Sequence, residues 1–470
     1  MKSVIYQMLP RLWGNGKFSS IDTGSLEYIK GLGVHYIWYT GVIRHATSAT
    51  EKVVKGDAGS PYAIVDYYDV NPYLADNSGS RMQEFLELVE RTHKVGMKVI
   101  IDYVPNHVAR ENVNFGKEDN TTVHWAPEND FYYYPGEALK LPAECKGYNE
   151  NPAKASGNAF TSAPGINDWW ETVRLNYCDF HTGTWDKMYE IVRFWALKGV
   201  DGFRCDMVEM VPPEFMKWLI ARIKAEFPAI IFIAEVYQKD KYRMYVEEVG
   251  FDLLYDKCGL YDVLRAVSCN GASATGITGN WQFLGDLQSR MLNFLENHDE
   301  QRLASDFFLG KAENAYAALA VSFLWNTAPF MLYFGQEMGE RGMQQEGFSG
   351  LDGRTSIFDW CTVPALQNPD KTVLERYKEL LALSCKPAFA TGKTFALCYC
   401  QDGDFNPGRH FAWLRSDGKE TWLLVSNFGP EEEITLRIPP EALSYLGIKA
   451  VRTVYTVTVN TFCYAIVSVQ

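Results

Sequence analysis

The chain of 470 residues lacks an excess of basic residues, paired cysteine motifs and a long uninterrupted apolar run. It has 45 Lys and Arg against 58 Asp and Glu, giving a formal net charge of −13. This balance argues against broad nucleic-acid binding and against a polybasic membrane-surface role, because both need a basic face. None of the 10 cysteines forms a Cys-x-x-Cys pair, which favours buried free thiols and a reducing compartment.

Targeting and membrane segments are also missing from the sequence. The apolar run at the N-terminus is too short and too interrupted for a signal peptide, so we expect a cytoplasmic protein. The most apolar stretch, 315–334, approaches the length of a membrane span but contains polar residues and Pro329. We interpret it as a buried helix, a break at 326–329 and a buried strand.

Three familiar catalytic motifs are absent: Gly-x-Ser-x-Gly, His-Glu-x-x-His and the phosphate-binding Gly-x-x-x-x-Gly-Lys-Ser/Thr. What is present is a large supply of core residues, with 47% apolar and 14% aromatic side chains, which excludes a disordered chain. A minority of the aromatic side chains could line a groove, since flat apolar faces stack on sugar rings or nucleobases.

Apolar strands alternate with amphipathic helices along most of the chain. This rhythm is typical of a parallel sheet, and about eight units indicate a (β/α)₈ TIM barrel, hence an α/β protein. The predicted strands are 4–8, 36–39, 97–103, 199–205, 230–234, 251–255, 291–295 and 330–334. The predicted helices are 25–32, 80–95, 184–197 and 214–227.

Two segments break this rhythm. The stretch from 108 to about 175 is rich in Asn, Gly, Pro and aromatic residues and is too long for a loop, which predicts an inserted small domain. From about Pro387 the pattern changes to short alternating strands, which predict an antiparallel β-domain. Its predicted strands are 410–414, 421–426, 434–438, 451–457 and 462–469.

Charged side chains follow four of the buried strands directly. Active sites of (β/α)₈ barrels lie at the carboxyl ends of the strands, and charges at buried strand ends are costly unless they are paired or functional. Four such ends together therefore indicate a site. The residues concerned are Asp102, Asn106 and His107 after strand three, Arg204 and Asp206 at strand four, Glu235 at strand five, and His298 and Asp299 at strand seven.

The chemistry suggested by these residues uses carboxylates. Asp206 and Glu235 end neighbouring strands, which lie about 4.8 Å apart, so their carboxyl groups can approach to about 5–5.5 Å. That is the separation found in retaining glycosidases, where one carboxylate attacks and the other acts as acid and then as base. Arg204 precedes Asp206 by two residues, points to the same side of the sheet and can hold Asp206 ionised.

Each motif alone has a simpler structural explanation. An Arg-x-Asp pair is usually a structural ion pair, and an Asn-His pair after a strand is usually a turn. A His-Asp pair can belong to a metal site or to half of a nucleophile triad. Only the combination of all four strand ends favours a catalytic site.

The four segments, in this order and spacing, resemble the four short motifs of the α-amylase family, glycoside hydrolase family 13. The resemblance implies a barrel at 1–103 and 176–385, an inserted domain at 104–175 and a C-terminal β-sandwich at 386–470. It also implies that Asp206 is the nucleophile, Glu235 the general acid/base and Asp299 the third carboxylate. Further roles implied are substrate contacts by Tyr62, His107, Arg204 and His298, and an architectural role for Asp102.

The resemblance bears on metal binding as well. Asn106 and Asn176 stand where the family often provides calcium ligands, so we expect a possible structural calcium but no cofactor for the chemistry. Many members have Lys-His where this chain has Glu209-Met210. That Lys usually serves a leaving-group subsite and that His provides a calcium contact, so both roles are in question here.

The expected activity is hydrolysis of α-1,4-linked maltooligosaccharides or starch. A transglycosylase or a glucosyl isomerase would use the same residues and differ only in the acceptor. A non-catalytic glucan-binding relative is a third alternative, although such proteins typically lose the carboxylates. We expect an α-glucan partner, and no sequence feature indicates an oligomeric state.

Overall fold

The computed structural model describes residues 2–142, 147–178, 181–449 and 452–469. Its central element is a barrel of eight parallel strands, labelled β1 to β8 in chain order. Successive strands from β1 to β7 pair side by side, β1 also pairs with β8, and a bridge between Asn293 and Phe330 closes the barrel. The strands are Val4–Met8, Tyr36–Tyr39, Lys98–Tyr103, Gly202–Cys205, Ile231–Ala234, Leu253–Tyr255, Met291–Leu292 and Phe330–Tyr333.

Helices connect these strands as the sequence pattern predicts. The side chain of Asp22 accepts a hydrogen bond from the Ser25 N–H at 2.8 Å and caps the first helix. The stretch 315–334 forms a buried helix followed by β8, which confirms its interpretation. The α-helices are Thr23–Gly31, Arg81–Lys94, Gly183–Leu197, Pro213–Glu226, Asp262–Asn270, Thr275–Leu284, Tyr316–Leu324, Lys371–Ser384, Pro387–Ala390 and Pro440–Leu446, with π-helical turns at Met244–Val249 and Lys257–Tyr261.

Apolar side chains fill the inside of the barrel. Ile5, Trp38, Ile100 and Ile233, one from each of four strands, are fully buried in one cluster. At Gly202 an added Cβ would lie only 2.7 Å from the Ile231 side chain, so a glycine here leaves room for that side chain.

The chain leaves the barrel after β3 and returns before the helix Gly183–Leu197. On the way, His107–Ala109 pairs antiparallel with Thr172–Arg174, and Tyr133–Tyr134 pairs with Ala153–Lys154. This small ribbon confirms an inserted domain after strand three, while its boundaries at 104 and 175 stay a prediction. A second ribbon pairs Ile43–His45 with Ile64–Val70 after β2.

Two antiparallel sheets form the C-terminal region. Leu414 and Leu423 of the larger sheet share a core with Ile434 and Tyr455 of the smaller one, which confirms the predicted sandwich. The sequence pattern missed Lys393–Ala396 and the helix Pro440–Leu446, because both are short and only partly buried. The sheets contain Lys393–Ala396, His410–Ser416, Thr421–Asn427 and Tyr464–Ser468, and Glu432–Arg437 with Val454–Val459.

A buried arginine is among the residues that join the sandwich to the barrel. Arg415 donates hydrogen bonds to the backbone carbonyls of Trp325, Ala388 and Phe389 at 3.3, 3.1 and 2.7 Å. Trp325 directly follows the helix Tyr316–Leu324, so a strand of the sandwich satisfies carbonyls at a helix end of the barrel.

The cysteines and the apolar helices bear on two expectations from the sequence. Apart from Cys178, the cysteines of the described ranges are free, as expected. Of all nine described cysteines only Cys205 is buried, so burial of the others was predicted wrongly. They lie on loops and element edges rather than in the core, and Cys145 lies outside the described residues. No helix in the described part of the chain is long and apolar enough to cross a membrane.

Candidate active site

The ends of β4 and β5 place the two main carboxylates side by side. Cys205 and Ala234 form the last register pair between these strands, and Asp206 and Glu235 follow them directly. A cavity of about 390 Å³ opens above them. Six of the residues singled out from the sequence line it: Tyr62, His107, Asp206, Glu235, His298 and Asp299.

One guanidinium group connects the carboxyl groups from within the barrel. Nη1 of Arg204 lies 2.7 Å from Oδ1 of Asp206 and 3.8 Å from Oδ1 of Asp102, and Nη2 lies 2.9 Å from Oε2 of Glu235. Arg204 is fully buried, so these contacts are shielded from water. The contact expected between Arg204 and Asp206 is present, and the same side chain also holds Glu235.

Burial controls the charge of this cluster. It raises the pKa of Asp206 well above its usual value; Arg204 opposes this effect and the neighbouring Glu235 carboxylate adds to it. Burial also raises the pKa of Asp299, again opposed by Arg204. Several carboxyl groups thus share a single guanidinium group. Because one positive charge cannot balance all of them, the cluster tends to retain a proton, as acid/base chemistry requires.

The backbone after the first carboxylate is in an unusual conformation. Met207 has a φ of 44° and a ψ of 44°, in the left-handed region that side-chain-bearing residues rarely adopt. In this conformation its N–H donates a hydrogen bond to Oε2 of Glu235 at 2.9 Å. Strained backbone of this kind clusters at functional sites, and here it ties the end of β4 to the acid/base candidate.

A tyrosine and a histidine form one wall of the cavity. The Tyr62 hydroxyl lies 2.5 Å from Nε2 of His298, and the two rings are stacked with centroids 5.2 Å apart. Burial lowers the pKa of His298 well below its usual value, so the ring is neutral. Nε2 of Gln7 lies 2.8 Å from Nδ1 of His298, which leaves the ring proton on Nε2, facing Tyr62 and Asp299.

The remaining predicted residues surround this core. Asp102 accepts hydrogen bonds from Trp38 Nε1 at 3.1 Å and from the Tyr62 hydroxyl at 3.3 Å, and burial raises its pKa to about 6. These contacts fit an architectural role. Burial lowers the pKa of His107 to about 3, so this ring is also neutral, and it lies 5.1 Å from the Trp169 ring.

Several residues of the site were not found from the sequence. Gln7, which contacts His298 beneath the cavity, had a signal, since it is a lone polar residue in the apolar strand Val4–Met8. Tyr237 also had one, because it follows Glu235 by two residues. The others lie on loops whose paths no local pattern predicts, namely Lys55, Trp169, Glu171, Arg354 and Phe358.

The two asparagines proposed as calcium ligands make separate hydrogen bonds within the protein. The side-chain amide of Asn106 donates to the Gly157 carbonyl at 2.8 Å. That of Asn176 donates to two other carbonyls, while its Oδ1 accepts from Trp125 Nε1 at 3.1 Å. Both side chains are thus engaged in separate internal hydrogen bonds.

A lysine supplies positive charge near Asn176. Nζ of Lys187 lies 2.5 Å from Oδ2 of Asp130, whose backbone carbonyl accepts from the Asn176 N–H. In the described ranges, no group of three or more His, Cys, Asp or Glu side chains is placed to hold a metal ion. Calcium binding by Asn106 and Asn176 therefore stays a prediction, and the hydrogen bonds of Asn176 and the nearby Lys187 argue against it.

This arrangement has the architecture of a glycoside hydrolase. It is a (β/α)₈ barrel with two carboxylates on adjacent strand ends, a third carboxylate nearby and an arginine shared between the first two. The family model described as alpha amylase, catalytic domain, matches residues 14–253, and the chain belongs to the alpha-amylase family.

Individual relatives are distant. The chain is 26% identical over 440 residues to Alpha-amylase MalA of Haloarcula japonica, covering 91% of this chain and 56% of that protein. It is 24% identical over 301 residues to Amino acid transporter heavy chain SLC3A1 of Homo sapiens, covering 60% and 38%. The fold is similar to a maltogenic alpha-amylase, AmyB of Thermotoga neapolitana, with a TM-score of 0.69, 22% identity and coverage of 100% and 96%. Because the chain spans about half or less of the two relatives' lengths, its own side chains must indicate the activity.

Proposed function

We propose that this protein is a retaining glycoside hydrolase that cleaves α-1,4-glucosidic bonds in maltooligosaccharides or starch. The observation that carries the proposal is the bridge formed by Arg204, which contacts Asp206 at 2.7 Å and Glu235 at 2.9 Å at the floor of a cavity. A non-catalytic relative has no need for a charged cluster of this kind, since buried carboxylates are costly.

In the first step the Asp206 carboxylate attacks the anomeric carbon of the bound glucosyl unit. The bond from this carbon to the glycosidic oxygen breaks, and that oxygen takes the proton of Glu235. The sugar is then covalently attached to Asp206, and Glu235 is a carboxylate. Asp299, His298 and His107 hold sugar hydroxyl groups during this step, and the Tyr62 ring faces the sugar.

In the second step a water molecule gives a proton to Glu235 and attacks the anomeric carbon. The bond to Asp206 breaks, the sugar leaves with its original α-configuration, and both carboxyl groups return to their starting states. The chain's own residues and water complete the cycle. If a sugar hydroxyl replaces water, the same residues catalyse transglycosylation.

The test is incubation with maltoheptaose, with products followed over time by chromatography and their configuration by early NMR. Shorter products of α-configuration support retaining hydrolysis, whereas products longer than the substrate favour transfer. Asp206→Asn is the control and should be inactive. Binding of maltoheptaose without turnover by the unaltered protein would contradict the proposal and favour a glucan-binding protein.

A further inference from the structure

Tyr237 contacts the acid/base candidate directly. Its hydroxyl donates a hydrogen bond to Oε1 of Glu235 at 2.6 Å. The side chain is 38% exposed and lines the cavity beside Met207 and Asp299. It therefore lies on the open side of the carboxyl group rather than in the protein core.

The second oxygen of Glu235 is already occupied. Oε2 accepts the Met207 N–H at 2.9 Å and lies 2.9 Å from Nη2 of Arg204. The Met207 N–H and the adjacent guanidinium charge both disfavour a proton on Oε2, so the acid proton belongs on Oε1. Oε1 is the oxygen that Tyr237 holds.

Tyr237 is itself fixed by a carboxylate from the neighbouring loop. Oε2 of Glu209 accepts the Tyr237 N–H at 2.8 Å, and Oε1 accepts the Gln238 N–H at 3.1 Å. Glu209 lies in the short turn Val208–Met210 that follows Asp206. It stands where many members of the family carry a lysine, and here its carboxylate accepts hydrogen bonds from the backbone after β5.

We propose that Tyr237 is a positioning residue for Glu235 and that Glu209 acts through Tyr237; the proposal rests on the acid/base role of Glu235. An oxygen that carries the acid proton can still accept a hydrogen bond, so Oε1 can accept the Tyr237 hydroxyl in both protonation states. Tyr237 thus donates to Oε1 when Glu235 is a carboxylate and also when Glu235 is protonated. In the protonated state the Oε1 proton is left to face the leaving oxygen, and the Tyr237 proton is never transferred.

The charge state of the tyrosine is compatible with this role. Burial, followed by the Glu235 carboxylate, raises the pKa of Tyr237 well above its ordinary value, so the hydroxyl keeps its proton. The double contact between the loops, Met207 with Glu235 and Glu209 with Tyr237, aligns nucleophile and acid as one unit.

The test compares two leaving groups. Maltoheptaose needs protonation of its leaving oxygen, whereas a nitrophenyl maltooligoside does not. Tyr237→Phe should lower kcat on maltoheptaose by about 10- to 100-fold, as expected for loss of a hydrogen bond to a charged group, and much less on the nitrophenyl substrate. KM should change little. Tyr242→Phe is the matched control, because its buried hydroxyl has no hydrogen-bond partner within the described residues.

A second variant tests the link to Glu209. Glu209→Gln should show the same leaving-group dependence to a smaller extent, and the double variant should be no slower than Tyr237→Phe alone. Equal losses on both substrates, or additive losses in the double variant, would overturn the proposal. Glu235→Gln is the benchmark: if it lacks leaving-group dependence, the acid/base assignment fails instead.

Discussion

Nζ of Lys55 lies 3.0 Å from Oε2 of Glu171, and both side chains are almost completely buried at one end of the active-site cavity. Lys55 lies on the loop before Tyr62, whereas Glu171 lies near the end of the inserted segment. The ion pair therefore joins the insertion to the barrel at the substrate site, where Lys55 also donates to the Asp168 carbonyl at 3.0 Å.

Lys55→Met should lower the free energy of unfolding by about 3 kcal/mol, because it leaves the Glu171 carboxylate buried and unpaired. The double variant Lys55→Met/Glu171→Leu should regain most of this loss, since the unpaired charge is then absent. Urea denaturation measures both effects. A Lys55→Met protein as stable as the original would show that Glu171 does not need Lys55 as a partner.

Asp206→Asn should raise thermal stability while it removes activity. Because burial raises the pKa of Asp206, its ionised form destabilises the folded state at neutral pH, and a neutral amide avoids this cost. Turnover should fall on the order of 10⁴-fold. The gain in melting temperature should shrink as the pH falls and Asp206 becomes protonated; a gain that is constant with pH would contradict the argument.

Asp256 should make stability depend on pH. It is 2% exposed, and burial raises its pKa from 3.8 to about 6. An acid whose pKa is raised by folding binds its proton more tightly in the folded state, so the free energy of unfolding falls as the pH rises from about 4 to about 6.

Asp256→Asn should therefore stabilise the protein by roughly 2–3 kcal/mol at pH 8 and have little effect at pH 4. Denaturation curves at both pH values measure this difference. Asp240→Asn, at an exposed position of the preceding loop, provides the control and should follow the original protein at both pH values. Equal effects of Asp256→Asn at the two pH values would count against the assignment.

Chelation should leave the melting temperature unchanged, because the Lys187 ammonium already neutralises the buried Asp130 carboxylate. Lys187→Met should lower the free energy of unfolding by roughly 1–3 kcal/mol, since Asp130 is buried but Lys187 is partly exposed. Lys217→Met, an exposed lysine on the next helix, is the control. A melting temperature that falls with chelator and recovers with calcium would support the calcium expectation instead.

Much of the barrel could be predicted because its strands obey a strong local rule. Val4–Met8 and Tyr36–Tyr39 have the predicted bounds, since a fully buried strand gives a continuous apolar run. The strand predicted at 291–295 ends at Leu292, where Asn293 continues only as a bridge. Pairing with distant strands, rather than local propensity, decides such ends.

The site could be predicted where it depends on the strands, but not where it depends on contacts between loops. Asp206 and Glu235 were found because strand ends of a barrel converge, a rule that needs no detailed loop geometry. Two other contacts join loops whose relative positions the sequence does not indicate. They are the ion pair between Lys55 and Glu171 and the hydrogen bond from the Tyr237 N–H to Glu209. No periodicity encodes the paths of these loops, so only the folded chain reveals the contacts.

The buried Arg415 has a consequence for the order in which the protein is made. It reaches the Trp325 carbonyl from a position 90 residues later in the chain. Until the strands that carry Thr394 and Arg415 have been synthesised and have docked, this carbonyl at the end of a barrel helix lacks both of its side-chain partners. These hydrogen bonds of the barrel therefore form only when the sandwich docks.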